Sequence, residues 1–179
     1  MGLREKPARK VEMAVDTSDG FLGVVIGWPP GYLDMLSGSL RRVLWERYRV
    51  HIKLHMRELD EPSKGRVIRV FVELIGDPSV RRHLTIRCVH VGAEYEPGRI
   101  INEVIEGAIR SYSVHLVFAD DYLREFISPL VPSELIVKRL PLALADIVAW
   151  LNRAYKSAHP HTRWRPVEDF IREVLHGDR

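Results

Sequence analysis

An apolar run that stops on a carboxylate and restarts within one turn constrains this chain more than any other feature. Residues 11–28 read VEMAVDTSDGFLGVVIGW. Val, Ile and aromatic residues are frequent in both halves, and Asp19-Gly20 between them is a strong two-residue turn signal. The spacing predicts an antiparallel hairpin with strands at 11–18 and 21–28. Asp19-Gly20 suffices for the turn, so Asp16 stands at the end of a strand without a role in it. Aspartate commonly bonds the backbone of a turn. The other reading makes Asp16 one part of a metal site.

Beyond the hairpin the pattern changes. Leu33, Leu36, Leu40, Val43 and Leu44 recur at helical spacing, which predicts an amphipathic helix from Tyr32 to about Tyr48. Residues 50–58, VHIKLHMRE, alternate: Val50, Ile52, Leu54 and Met56 against His51, Lys53, His55 and Arg57, the pattern of a half-exposed strand. DEPSKG then reads as a turn, 66–75 and 83–91 as strands, 97–110 as a helix and 113–121 as a strand. Ser133 is a candidate cap for a helix over 134–158, with Pro141 starting or kinking its main part. Residues 167–176 read as a last short helix. The expected order is β-β-α-β-β-β-α-β-α-α, an α/β domain over 11–179 behind a basic arm at 1–10.

Three acids fall in unusual places. Asp16 ends the first strand. Asp120, with Asp121 beside it, ends SVHLVFADD. Asp146 lies in LPLALADIVAWLNRA, a helix that is apolar nearly all round. Each has a plain structural reading: a turn acid, a helix cap for DYLREF, and an ion pair with Arg139 or Arg153. Together they suggest convergence. Clustered carboxylates repel and raise one another's pKa, which a divalent cation relieves. All-oxygen ligation favours Mg²⁺ or Mn²⁺ over zinc. Two such ions activate water and stabilise the leaving oxygen of a phosphodiester.

These patches resemble a known superfamily. VEMAVDTSDGFLGVVIG resembles the opening hairpin of the RNase H-like, or retroviral-integrase-like, fold, whose first strand carries a catalytic Asp. SVHLVFADD resembles its fourth strand, which often ends in a second acid. LPLALADIVAWLNRA resembles its last helix, which delivers a third. The form LALADIVA is similar to RuvC-type nucleases and to uncharacterised prokaryotic RNase H-like domains. The resemblance implies a mixed five- or six-stranded sheet with helices packed on its faces. It implies a Mg²⁺- or Mn²⁺-dependent nuclease with Asp16, Asp120 and Asp146 as catalytic, metal-binding carboxylates. Asp121 is the alternate in its pair, and Glu106 the first candidate for a fourth acid, ahead of Glu103 and Asp19. One departure stands out: the fold has three hairpin-connected strands before its first helix, and here a helix is expected after the second. A catalytically inactive domain of the same fold, binding nucleic acid or a protein, is the alternative.

Composition bears on partners. The chain carries 27 Lys+Arg against 24 Asp+Glu, and the basic residues are 21 Arg and 6 Lys. Guanidinium groups bond phosphate in bidentate fashion, which favours a DNA or RNA partner. RWR at 163–165, two guanidiniums beside an indole, suits phosphate contact and base stacking. Arg163, Trp164 and Arg165, with Arg81 and Arg82, are the nucleic-acid candidates. The eight histidines show no metal-ligand spacing, and the stripe of His51, Lys53, His55 and Arg57 reads as a solvated or nucleic-acid-facing surface. His159 and His161 leave open an unrelated enzyme using histidine chemistry. No Gln and two Asn point to a thermophile. One cysteine excludes an intramolecular disulfide and fits a reducing cytoplasm. No run approaches ~18 apolar residues, so no membrane span is expected.

Overall fold

The computed structural model describes residues 8–18, 20–91 and 97–158. Asp19, RWR, His159, His161, the helix expected at 167–176 and most of the basic arm lie outside them. The end of that arm is built into the fold: β1 spans Lys10–Ser18, and the Arg9 guanidinium stacks on Trp28 at 4.6 Å.

The expected hairpin is present. β1 and β2 (Phe21–Gly27) pair antiparallel from Glu12↔Gly27 to Ser18↔Phe21, and Gly20 takes the positive φ (84°) of the turn. β3 (Leu84–His90) lies antiparallel on β2, and β4 (Ser113–Phe118) lies parallel to β1. The two-residue β5 (Ile136–Val137) pairs parallel with β4. The sheet order is β3-β2-β1-β4-β5, a mixed five-stranded sheet with helices on both faces, as the RNase H-like reading expects. The expected departure is present: a helix, Tyr32–Tyr48, is the next element after β2, and residues 28–83 separate β2 from β3 in sequence although the two pair antiparallel with Leu84 opposite Gly27.

That insertion holds two corrections. Residues 66–75 are not a strand; they belong to α2 (Glu61–Gly76). Val, Ile and Phe favour strands as residue types, yet the buried positions Val67, Val70, Phe71 and Ile75 follow the helical period. Asp60, read as part of a turn, caps α2 by accepting from the Ser63 amide at 2.8 Å. Nor do residues 50–58 form a strand. α1 (Tyr32–Tyr48) ends at Arg49 in a left-handed cap (φ 55°), and an unpaired segment runs into a 3₁₀ turn, Met56–Glu58. Its alternation is real as burial, with Val50 and Met56 inside, but no strand lies beside it.

The short helix α3 (Pro78–Arg81) leads into β3, and α4 (Pro97–Ser111) and α5 (Asp121–Ile127) flank β4. The helix expected at 134–158 is broken. Ser133–Leu135 make one 3₁₀ turn, β5 follows, and α6 (Leu142–Ala158) starts after Pro141, which lacks the amide to continue a helix.

Two cores sandwich the sheet. Met13, Val15, Leu22 and Val24 face α4 and α5 through Ile101, Ile105, Leu123 and Ile127. Ala14, Val25, Ile86 and Phe118 face α1, α2 and α6. Side chains alternate along a strand, so Asp16, two residues past Ala14, points to the α6 side. No helix among the described residues is long and apolar enough to cross a membrane.

Candidate metal centre

The register fixes the first meeting of acids. β1 and β4 are parallel neighbours with Ala14 beside Phe118. Two residues further along the chain in each case come Asp16 and Asp120, so both carboxylates emerge at the same end of the sheet. Asp16 also lies opposite Gly23 of β2. A Cβ at Gly23 would collide with the Ala145 backbone, so the glycine lets α6 lie directly on the hairpin. Ala143, Ala145 and Ala149 line that helix with small, buried side chains. The LALADIVA composition is therefore what brings Asp146 down onto Asp16.

The fourth participant, His55, comes from the inserted segment. Its ring lies among all three carboxylates: Nδ1 is 3.1 Å from Asp16 Oδ2 and 3.8 Å from Asp146 Oδ1, and Nε2 is 2.9 Å from Asp120 Oδ2. Two anchors hold it there. The Met56 amide donates to Asp146 Oδ2 at 2.5 Å, while the Met56 side chain is buried in the core. The His55 amide lies 3.4 Å from Glu58 Oε2.

One ligand atom from each of Asp16, His55 and Asp146 lies within 4.8 Å of the other two, a group that could hold a metal ion. Asp16 is 4% exposed and Asp146 5%. Asp16 Oδ1 accepts from the Thr17 amide at 2.8 Å, but Oδ2 takes up no hydrogen bond despite its closeness to His55. A buried carboxylate oxygen without a hydrogen bond is costly. A cation there would satisfy it, and an imidazole nitrogen with two carboxylates is an ordinary ligand set, so the residues fit a metal.

Burial, reinforced by the charge of Asp146, pushes the Asp16 carboxyl up to about 8. Burial also raises Asp146, and the Met56 amide counters it. Asp120 behaves oppositely. Burial acts upward on it, yet its bonds from Lys138 and the Asp121 amide outweigh this and hold it below the usual range. Lys138 Nζ lies 2.9 Å from Asp120 Oδ1, and the same oxygen caps α5 through the Asp121 amide at 2.7 Å. The helix-cap role and the site role of Asp120 thus coexist on different oxygens.

The remaining candidates are placed elsewhere. The Asp121 side chain is 78% exposed and bonds Lys138 at 3.4 Å. Glu106 bonds Arg110 on α4, and Glu103 bonds Arg99; both border a separate shallow cleft with Phe126. Neither reaches His55. Arg81 and Arg82 precede β3, whose first residue lies by Gly27 and Glu12, so they occupy the opposite end of the sheet from Asp16. Arg139, one expected partner of Asp146, pairs with Asp34 instead. His55 is the residue that the sequence pattern placed wrongly, on a solvated stripe. Its signal was weak: one histidine of eight, between the apolar Leu54 and Met56.

The centre opens into a cleft of ≈ 280 Å³, also lined by Thr17, Ser18, Arg57, Tyr122, Trp150 and Arg153. Comparison with protein-family models, with curated proteins and with solved structures returns no match to this chain.

Proposed function

We propose that this protein is a metal-dependent nuclease that hydrolyses phosphodiester bonds in DNA or RNA. The observation that carries this reading is the buried Asp16–Asp146 pair with an unbonded carboxylate oxygen, beside His55 and open to a cleft with two arginines. Asp16, His55 and Asp146 would hold the ion. When bound, a divalent ion polarises a phosphoryl oxygen and lowers the pKa of water. Arg57 and Arg153 border the cleft where a phosphate would enter, and guanidinium groups suit phosphate oxygens. Tyr122 and Trp150 supply aromatic surface against which bases could stack. The low-lying Asp120 carboxylate stays ionised and keeps its place against the His55 ring.

A second reading rests on Lys138. Its bond to Asp120 supplies an internal cation, as expected of a catalytically inactive domain that binds nucleic acid or protein. One experiment separates the two. Labelled single- and double-stranded DNA and RNA are incubated with the protein and Mg²⁺ or Mn²⁺, alongside Asp16→Asn and Asp146→Asn. Cleavage by the wild type and its loss in both variants supports the nuclease. Binding without cleavage supports the inactive domain.

A further inference from the structure

The His55 ring separates Asp120 from Asp16 and Asp146. The two nitrogens of an imidazole point away from one another. One ion cannot lie in front of both. Asp120 Oδ2 is 2.9 Å from Nε2, whereas Asp16 Oδ2 and Asp146 Oδ1 gather on the Nδ1 side. Two donors that each sit about 2.1 Å from an octahedral ion, at right angles, are about 3 Å apart. The 3.1 Å between Nδ1 and Asp16 Oδ2 matches that spacing, and that same oxygen is the buried one that takes up no hydrogen bond. A carboxylate on the far nitrogen of a metal-ligating histidine fixes the tautomer and ring orientation. Asp120 stands in that position. It is itself held by Lys138 and by its cap on α5, so it is well fixed for the role.

We propose that His55 ligates the metal through Nδ1 together with Asp16 and Asp146, and that Asp120 is a positioning residue that orients the imidazole through Nε2. The ligand set then mixes nitrogen and oxygen. Such a set moves preference from Mg²⁺, which favours oxygen ligands and retains water, toward first-row transition ions. Mn²⁺, which also accepts carboxylates, is the useful probe. The inference rests on the metal site of the proposed nuclease but not on its cleaving nucleic acid.

The test is Mn²⁺ binding by the full chain, read by pulsed electron paramagnetic resonance for coupling to ¹⁴N. Wild type should bind Mn²⁺ and show imidazole nitrogen coupling. His55→Ala should lose it, and His55→Asp should narrow the preference for Mn²⁺ over Mg²⁺ in competition. Asp120→Asn retains a good helix cap. It should keep the nitrogen coupling and weaken Mn²⁺ binding by about 10- to 100-fold in a protein that still folds, with a lower metal-free melting temperature because the bond from Lys138 to a carboxylate is lost. Mn²⁺ bound by wild type without nitrogen coupling, or coupling that persists in His55→Ala, overturns the assignment of His55. Loss of all binding in a folded Asp120→Asn, equal to that in Asp16→Asn, makes Asp120 a direct ligand and overturns its positioning role. No Mn²⁺ binding by wild type overturns the proposed metal-dependent function as well. The wild-type spectrum decides the matter even if a variant fails to fold.

Discussion

Gly23 lies directly opposite Asp16 in the β1–β2 ladder, and the Ala149 amide of α6 would stand 3.0 Å from any Cβ placed there. The missing side chain sets the height of α6 above the sheet, and hence the reach of Asp146 to Asp16. Gly23→Ala should force the helix outward. Overpacking of this kind costs about 1–3 kcal/mol. A lower denaturant midpoint with a loss of Mn²⁺ affinity larger than that midpoint implies is the expected result. An unchanged midpoint and affinity would show that α6 does not depend on this contact.

Asp16 makes a second prediction, in pH. In the metal-free fold its carboxyl keeps its proton up to about 8, while an unfolded chain gives it up near the ordinary value of 3.8. Between those values the unfolded state binds fewer protons, so stability falls as pH rises. The penalty is absent below pH 4 and complete above pH 8. Asp16→Asn removes it. In the presence of a chelator the variant should therefore melt higher than wild type at pH 8.5 and equally at pH 4. Metal reverses the sign, because binding needs the ionised carboxylate. Mn²⁺ affinity of wild type should climb with pH up to about 8 and level off. A flat difference between the two melting curves across pH would refute the burial account of Asp16.

Asp146 separates structure from chemistry. Its Oδ2 accepts the Met56 amide, the bond that ties the inserted segment to α6. Asp146→Ala leaves that buried amide without its partner, a loss of about 1–3 kcal/mol. Asp146→Asn keeps an acceptor oxygen and should cost less, yet a neutral amide is a poor metal ligand. The expected pattern is a folded Asp146→Asn and a destabilised Asp146→Ala, both with Mn²⁺ binding lost. Equal stability of the two would show that the amide bond contributes little.

These expectations show where the sequence was legible. The hairpin could be read because alternation and Asp19-Gly20 agree, and the register then brings Asp16 and Asp120 together. Asp146 could be singled out because an acid in an apolar helix needs a partner. His55 could not, because its position depends on a segment without regular structure. That segment is held by a buried methionine and one long-range bond from its backbone to Asp146, neither of which leaves a local pattern. The strand expected at 66–75 failed because β-branched residues satisfied strand propensity while Asp60, Pro62 and the spacing of Val67, Val70 and Phe71 specified a helix.

The last prediction concerns where a nucleic acid lies. Arg57 borders the metal centre, whereas Arg81 and Arg82 stand at the far end of the sheet. Each phosphate contact that is lost lowers the slope of log affinity against log salt by about one. Arg57→Ala should reduce both affinity and slope for a short oligonucleotide, measured by fluorescence anisotropy across a salt series. Arg81→Ala with Arg82→Ala should leave both unchanged for a substrate long enough to fill the cleft only. The reverse outcome, a loss confined to the Arg81 and Arg82 variant, would move the binding surface away from the carboxylates. It would also separate binding from any chemistry at Asp16.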